Sequence, residues 1–147
     1  NRYLFELLIK QLVEKVTLKI FRLPALFSLD IKKNVLFDLL NRNNIHKINS
    51  NSIYQWYDLN DLAASIEKYH YYNEEIVNLF PEGIRTYELI EEFFPQYEKE
   101  VLFGSPVFYD YCTKFSKTGY LYSEKESKAK IKNFINEYSS KQSSMGS

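Results

Sequence analysis

The chain has 147 residues, the size of one domain, with 19 Lys and Arg balanced by 19 Asp and Glu. That balance leaves no electrostatic footprint for nucleic acid or an anionic membrane surface, and no apolar run approaches the roughly 20 residues that span a bilayer. One cysteine, Cys112, has no internal disulfide partner and builds no metal site alone.

Residues 3–16, YLFELLIKQLVEKV, place Leu4, Leu7, Leu8, Leu12 and Val16 near one face, which is helical spacing. No capping residue precedes the helix, so the chain is expected to begin in mid-element. No signal peptide is visible, and a reducing cytoplasm is the expected compartment. Residues 17–23, TLKIFRL, read as a strand running into Pro24, and 28–34 as a polar loop. Residues 34–43 predict a short helix stopped at Asn43 and Asn44. SIYQWYD, 52–58, is strand-like, and Asp58 is placed to cap a helix over 59–69. EEIVNLF, 74–80, is a strand closed by Pro81, Glu82 and Gly83. Thr86 is expected to cap a helix over 87–94 that Pro95 stops. Residues 98–104 read as a further strand, and 106–116 as irregular. Ser123 and Glu126 form a capping box that opens a helix carrying Ala129, Ile131, Phe134, Ile135 and Tyr138. Residues 139–147 are a polar tail, expected to be disordered. The alternation of helices and strands predicts an α/β fold, with too few strands to close every sheet edge.

The chemistry-bearing motifs are sparse. There is no glycine-rich phosphate loop, and the four glycines are scattered. No His-x-x-x-His or Cys-x-x-Cys pair occurs, so no metal is expected. His46 and His70 are isolated and read as surface residues. Cys112 reads as a buried structural thiol. Lys32, Lys33 and Asn34 precede a helix, an arrangement that suits a phosphate or simply a solvated loop. Gln55 and Trp56 must point to opposite faces of their strand, so one can line a pocket while the other enters the core. Aromatic residues make up 17% of the chain. Such rings build cores or line pockets, and composition alone does not decide which.

Taken in order, NRYLFELLIKQLVEKVTLKIFRLPALF, IYQWYDLNDLAASI, EEIVNLFPEGIRTYELIEEFF and FYDYCTKFSKTGYLYSEKE form a pattern. Over about residues 1–138 it resembles the carboxyl-terminal half of the extended short-chain dehydrogenase/reductases, the NAD-dependent epimerase/dehydratase family. The first segment looks like that family's catalytic helix, its sixth parallel strand and the turn after it. The second is similar to the family's R-D-Y-I-H-V-x-D-L-A segment. The resemblance implies the carboxyl-terminal part of a Rossmann-like sheet with a small α/β substrate lobe, residues 1–138, and the amino-terminal Rossmann half absent.

What the resemblance implies about function follows residue by residue. The tyrosine of the family's catalytic Tyr-x-x-x-Lys would lie just before Asn1, and Arg2 falls at the lysine position. A guanidinium there supplies charge and donors but not an ammonium's geometry. Pro24, Ala25 and Leu26 would be the turn against the nicotinamide of NAD or NADP. Lys32, Lys33, Asn34 and Gln55 would face a nucleotide-sugar substrate. Tyr54 and Gln55 stand where the family has Arg and Asp. The implied function is the substrate-binding half of an oxidoreductase acting as a nucleotide-sugar epimerase or dehydratase, inactive alone and holding no cofactor tightly alone. The alternative is a non-catalytic binding or scaffold protein of the same fold. The implied partners are the missing half and a second copy, packed through helix 3–16.

Overall fold

The computed structural model describes residues 2–12 and 18–145; the side chains of Arg2 and Met145 are outside that description. Helix α1, Arg2–Leu12, occupies the start of the expected 3–16 helix, whose last part lies outside the described residues. The predicted α/β class is the one observed. Two small sheets carry it: parallel β1 (Ile20–Arg22) and β4 (Ile76–Asn78), and a mixed sheet in the order β2 (Ala25–Phe27), β3 (Ile53–Asp58), β5 (Gly83–Arg85).

The chain passes from one sheet to the other at Leu23 and Pro24. Proline has no N–H for a ladder, so β1 ends there and the backbone re-enters pairing one residue later. Ala25 pairs with Trp56 and Leu26 with Tyr57, both parallel. This corrects the expected turn over Pro24, Ala25 and Leu26: only the two residues at the switch turn, and Ala25 and Leu26 are in a strand. The expected end at Gly83 is corrected too, because Gly83 begins β5, antiparallel to β3 with Gln55 opposite it. A Cβ on Gly83 would stand 2.7 Å from Ile53 Cγ2, which is why a glycine opens this strand. The strand expected over 98–104 does not form. Tyr97 O turns the chain back by accepting from Glu100 N, and only Leu102 bridges, to Asn49.

Helix boundaries follow local capping chemistry. Asn34 Oδ1 accepts from Phe37 N at 2.8 Å and starts α2, Val35–Leu40, which ends at Asn41, ahead of Asn43. Asp58 caps a short 3-10 turn, Leu59–Asp61, through Asn60 N, and α3, Leu62–Tyr69, follows. Helix α4 is Thr86–Phe93. Thr86 is its first residue and not its cap: fully buried, its Oγ1 donates to Ser52 O at 2.9 Å. Helix α5, Glu124–Met145, opens on the predicted capping box, with Ser123 N and Oγ each 2.8 Å from Glu126 Oε2. It continues through 139–145, where a polar tail outside any element was expected.

The core has two parts, one on each face of β3. Trp56 joins Phe27, Leu36, Leu39, Ile84, Leu89, Ile131 and Phe134, packed with α2, α4 and α5. Tyr57, on the opposite face, joins Tyr69, Val77 and Leu79. Each such aliphatic side chain contributes about 1.5–3 kcal/mol when fully buried. Tyr57 Oη is satisfied by Ser65 Oγ at 2.8 Å, and burial raises its pKa against that bond. Among the described residues, no helix is long and apolar enough to cross a membrane.

Candidate functional site

Arg22 and Asn78 are in register across the parallel pair, and each is the last residue of its strand. Both line a bowl of about 680 Å³, completed by Tyr3, Glu6, Leu23, Pro24, Ala25, Tyr54, Gln55, Phe80, Tyr109 and Tyr111. The bowl therefore sits beyond the carboxyl ends of β1 and β4, the usual ligand position in open α/β sheets. Tyr54 and Gln55 point to opposite faces of β3 yet both line it, which places the bowl at the strand's edge. Farther back along β3, Ile53 bridges Phe108, so the segment carrying Tyr109 and Tyr111 runs along the edge of β3 opposite β5, the edge that β2 occupies farther on.

The floor is an ion pair. Arg22 donates from Nε to Glu6 Oε1 at 3.0 Å and from Nη2 to Glu6 Oε2 at 2.5 Å. The hydrogen bond to Glu6 raises the Arg22 pKa against the opposing effect of burial. Helix α1 turns polar groups inward to make this contact: Glu6 is buried, and Lys10, one turn on, reaches Glu75 at 2.9 Å. Its apolar residues Leu4, Phe5, Leu8 and Leu12 are exposed.

The wall is aromatic. Ring centroids are 5.2 Å apart for Phe80 and Tyr111, 6.1 Å for Tyr111 and Tyr109, and 5.8 Å for Tyr109 and Tyr54. Gln55, almost fully buried, ties this wall down. Its Nε2 donates to Pro81 O at 2.7 Å and Tyr111 O at 2.8 Å, and its Oε1 accepts from Tyr111 N at 3.0 Å. Neutralised charge and a row of tilted aromatic rings suit an uncharged ring with polar edges.

The residues expected at a site are only partly brought together. Pro24, Ala25 and Gln55 line the bowl. Gln55 does so with its amide committed to the protein. Leu26 packs against the Tyr57 cluster. Asn34 is the cap of α2, and its Nδ2 donates to Leu26 O at 2.7 Å. Lys32 and Lys33 are exposed in the loop between β2 and α2 and do not line the bowl. The Arg2 side chain lies outside the described ones. His46 and His70 are exposed, as expected; Cys112 is exposed, which corrects the expected buried thiol. Its segment crosses the surface and buries nothing at that position. Glu6, Asn78, Phe80, Tyr109 and Tyr111 were not expected at the site. The one available signal was the alternating aromatic run FYDY at 108–111.

A dinucleotide fits the bowl only in part. Pro24, Ala25 and the tyrosines fit a ring end. A pyrophosphate has no glycine loop or free cation among the bowl-lining residues, since Arg22 is held by Glu6. Among the described residues, no group of three His, Cys, Asp or Glu side chains converges as a metal site.

No family model matches the chain, and no curated protein matches it. Among solved structures it is similar to a UDP-glucose 4-epimerase with UDP-glucose from the hyperthermophilic eubacterium Thermotoga maritima. The TM-score is 0.47 and the identity 15%, over 82% of this chain and 41% of that one. The chain thus spans about two-fifths of that protein's length, and the likeness is distant.

Proposed function

We propose that the chain is the substrate-binding half of an NAD-dependent oxidoreductase of the nucleotide-sugar epimerase or dehydratase kind. The observation that supports this reading is the turn from Arg22 to Ala25. It lies beyond the carboxyl ends of two parallel strands and lines an aromatic bowl. In this reading the bowl takes the ring end of a ligand against Tyr109 and Tyr111. NAD or NADP, when bound by the complete protein, supplies hydride exchange. Pro24 and Ala25 present backbone and apolar surface to it, and Arg2 stands at the lysine position of the catalytic pair. Lys32 and Lys33 serve any diphosphate from outside the bowl. The pyrophosphate of the dinucleotide is held by the amino-terminal half, which is the first partner.

The outward apolar face of α1 supports a covered surface in the assembled protein. The missing half and a second copy are the two partners of this reading. Light scattering on the purified chain distinguishes a dimer from a monomer.

The second reading is a non-catalytic binding or scaffold protein. The observation favouring it is that Arg22 and Gln55, the strong polar groups of the floor and edge, are both satisfied internally.

The test is a titration of the chain with UDP-glucose, followed by the NMR resonances of Tyr54, Tyr109 and Tyr111. Saturable shifts that Tyr109→Ala weakens about tenfold support the bowl as ligand site; aromatic contacts of this kind are worth about 1 kcal/mol or more. No shift at millimolar ligand sinks the reading. The chain alone is expected to show no NAD-dependent turnover, and turnover would overturn the half-enzyme assignment.

A further inference from the structure

We propose that residues 103–112 form a strap that opens as a unit from the rest of the fold, with Gln55 as its latch, and that this opening uncovers the bowl. The strap is bounded by fixed ends. Val101 is buried and Leu102 is bridged to Asn49 on one side; on the other, Thr113 is buried and its N donates to Gly119 O at 2.8 Å. Between these ends no residue is buried: Pro106 is half-buried and all the others are exposed, with Phe103 and Phe108 each more than 60% exposed. The strap adds nothing to either core.

Hydrogen bonds hold it instead. Val107 O and Tyr109 N bond the backbone of Ile53, and Val107 N donates to Ser52 Oγ at 3.1 Å. Gln55 exchanges bonds with Tyr111, and Asn78 Nδ2 donates to Cys112 O at 3.2 Å. β5, on the other edge of β3, is the contrast, because its Ile84 is fully buried in the core. Segments with few buried apolar contacts and exposed hydrogen bonds open below the free energy of global unfolding. The closed strap also leaves Asn78 Oδ1 shut off from solvent with no partner among the described residues. A buried orphan acceptor opposes closure, and opening relieves it. Tyr109 and Tyr111 move with the strap, so the aromatic wall and the access to the bowl are one device.

The opening does not depend on what the bowl binds, so it is tested without ligand. Native-state hydrogen exchange is followed on the whole chain. The Val107, Tyr109 and Tyr111 amides are expected to exchange at a common rate, about 100-fold faster than the Ile84 amide. Ile53, whose amide bonds the strap, should share that rate. In Gln55→Ala the strap amides should all accelerate together, roughly tenfold, and remain faster than Ile84. The proposal is overturned if the wild-type strap amides exchange as slowly as Ile84. It is overturned equally if Tyr111 alone accelerates in the variant. The wild-type comparison stands even if the variant does not fold.

Discussion

Gln55 and Tyr111 hold each other by a reciprocal pair of hydrogen bonds, 2.8 Å from Gln55 Nε2 to Tyr111 O and 3.0 Å from Tyr111 N to Gln55 Oε1. The side-chain amide thus acts as a strand neighbour for a segment that has no strand there. Gln55→Leu removes these bonds and the one to Pro81 O. The expected loss is about 2–4 kcal/mol by urea denaturation, from several backbone groups losing partners at once. Gln55→Glu keeps the acceptor but turns a carboxylate toward two carbonyl oxygens. Its carboxyl pKa rises in the folded state, so its destabilisation is larger at pH 7 than near pH 4. Equal losses at both pH values would count against the assigned bonds.

Glu6 is the charge that makes Arg22 tolerable in the bowl's floor. Glu6→Gln removes the opposite charge while keeping the size. We expect a loss of about 1–3 kcal/mol, below the range for a fully buried pair because Arg22 is 32% exposed. A double-mutant cycle with Arg22→Gln should show coupling of about 1 kcal/mol or more. Additive single losses would show that the pair is not energetically joined.

Gly83 is replaceable only if Ile53 gives way. A new Cβ would meet Ile53 Cγ2 at 2.7 Å, so Gly83→Ala is expected to cost about 1–3 kcal/mol. Ile53→Ala removes Cγ2, so the double variant should be less destabilised than the sum of the singles. A thermal-melt series across the four proteins reads this directly.

Lys128 joins α5 to α4. Its Nζ lies 2.6 Å from Glu124, 3.0 Å from Glu88 and 3.9 Å from Glu92. Burial alone would raise the Glu88 pKa, but the hydrogen bonds with Lys128 and Glu124 and the nearby charges of Lys128 and Arg85 together outweigh it and hold Glu88 below its ordinary value. A carboxylate with a depressed folded pKa stabilises the fold above about pH 4.5, and that contribution is lost as pH falls through the folded value. Lys128→Met should therefore destabilise at pH 7 by about 1 kcal/mol, with the difference shrinking in acid below that range. A difference that stays constant down to pH 3 would assign the loss to packing instead.

Local chemistry was legible in the sequence and distant pairing was not. Asn34 and the Ser123–Glu126 box announce their helices because a cap acts within three residues. The opposed faces of Gln55 and Trp56 follow from strand alternation alone, and the structure sends Trp56 to the core and Gln55 to the bowl. The strands β2 and β5 escape notice because β2 follows directly on Pro24 and β5 opens on Gly83, residues that read as turn signals, and only pairing with β3 makes them strands. Thr86 looks like a cap by type, yet its hydroxyl is claimed by Ser52, far off in the chain. Lys32 and Lys33 carry the right charge for a phosphate, but charge does not say which way a loop faces. The bowl draws its aromatic wall from residues 54, 80, 109 and 111, three separate segments that no window of sequence joins.

The ring contacts described for the wall continue past it. Tyr54 stands 5.8 Å from Trp56, the single tryptophan of the chain, and 5.8 Å from Tyr109. Ultraviolet light absorbed by the bowl's tyrosines has a short path to one indole. Part of the light that Tyr54 and Tyr109 absorb should therefore emerge from Trp56. The drop in tyrosine-excited indole emission on Tyr109→Phe, against the wild-type chain with its 13 tyrosines, measures the share this part of the wall supplies without any added dye.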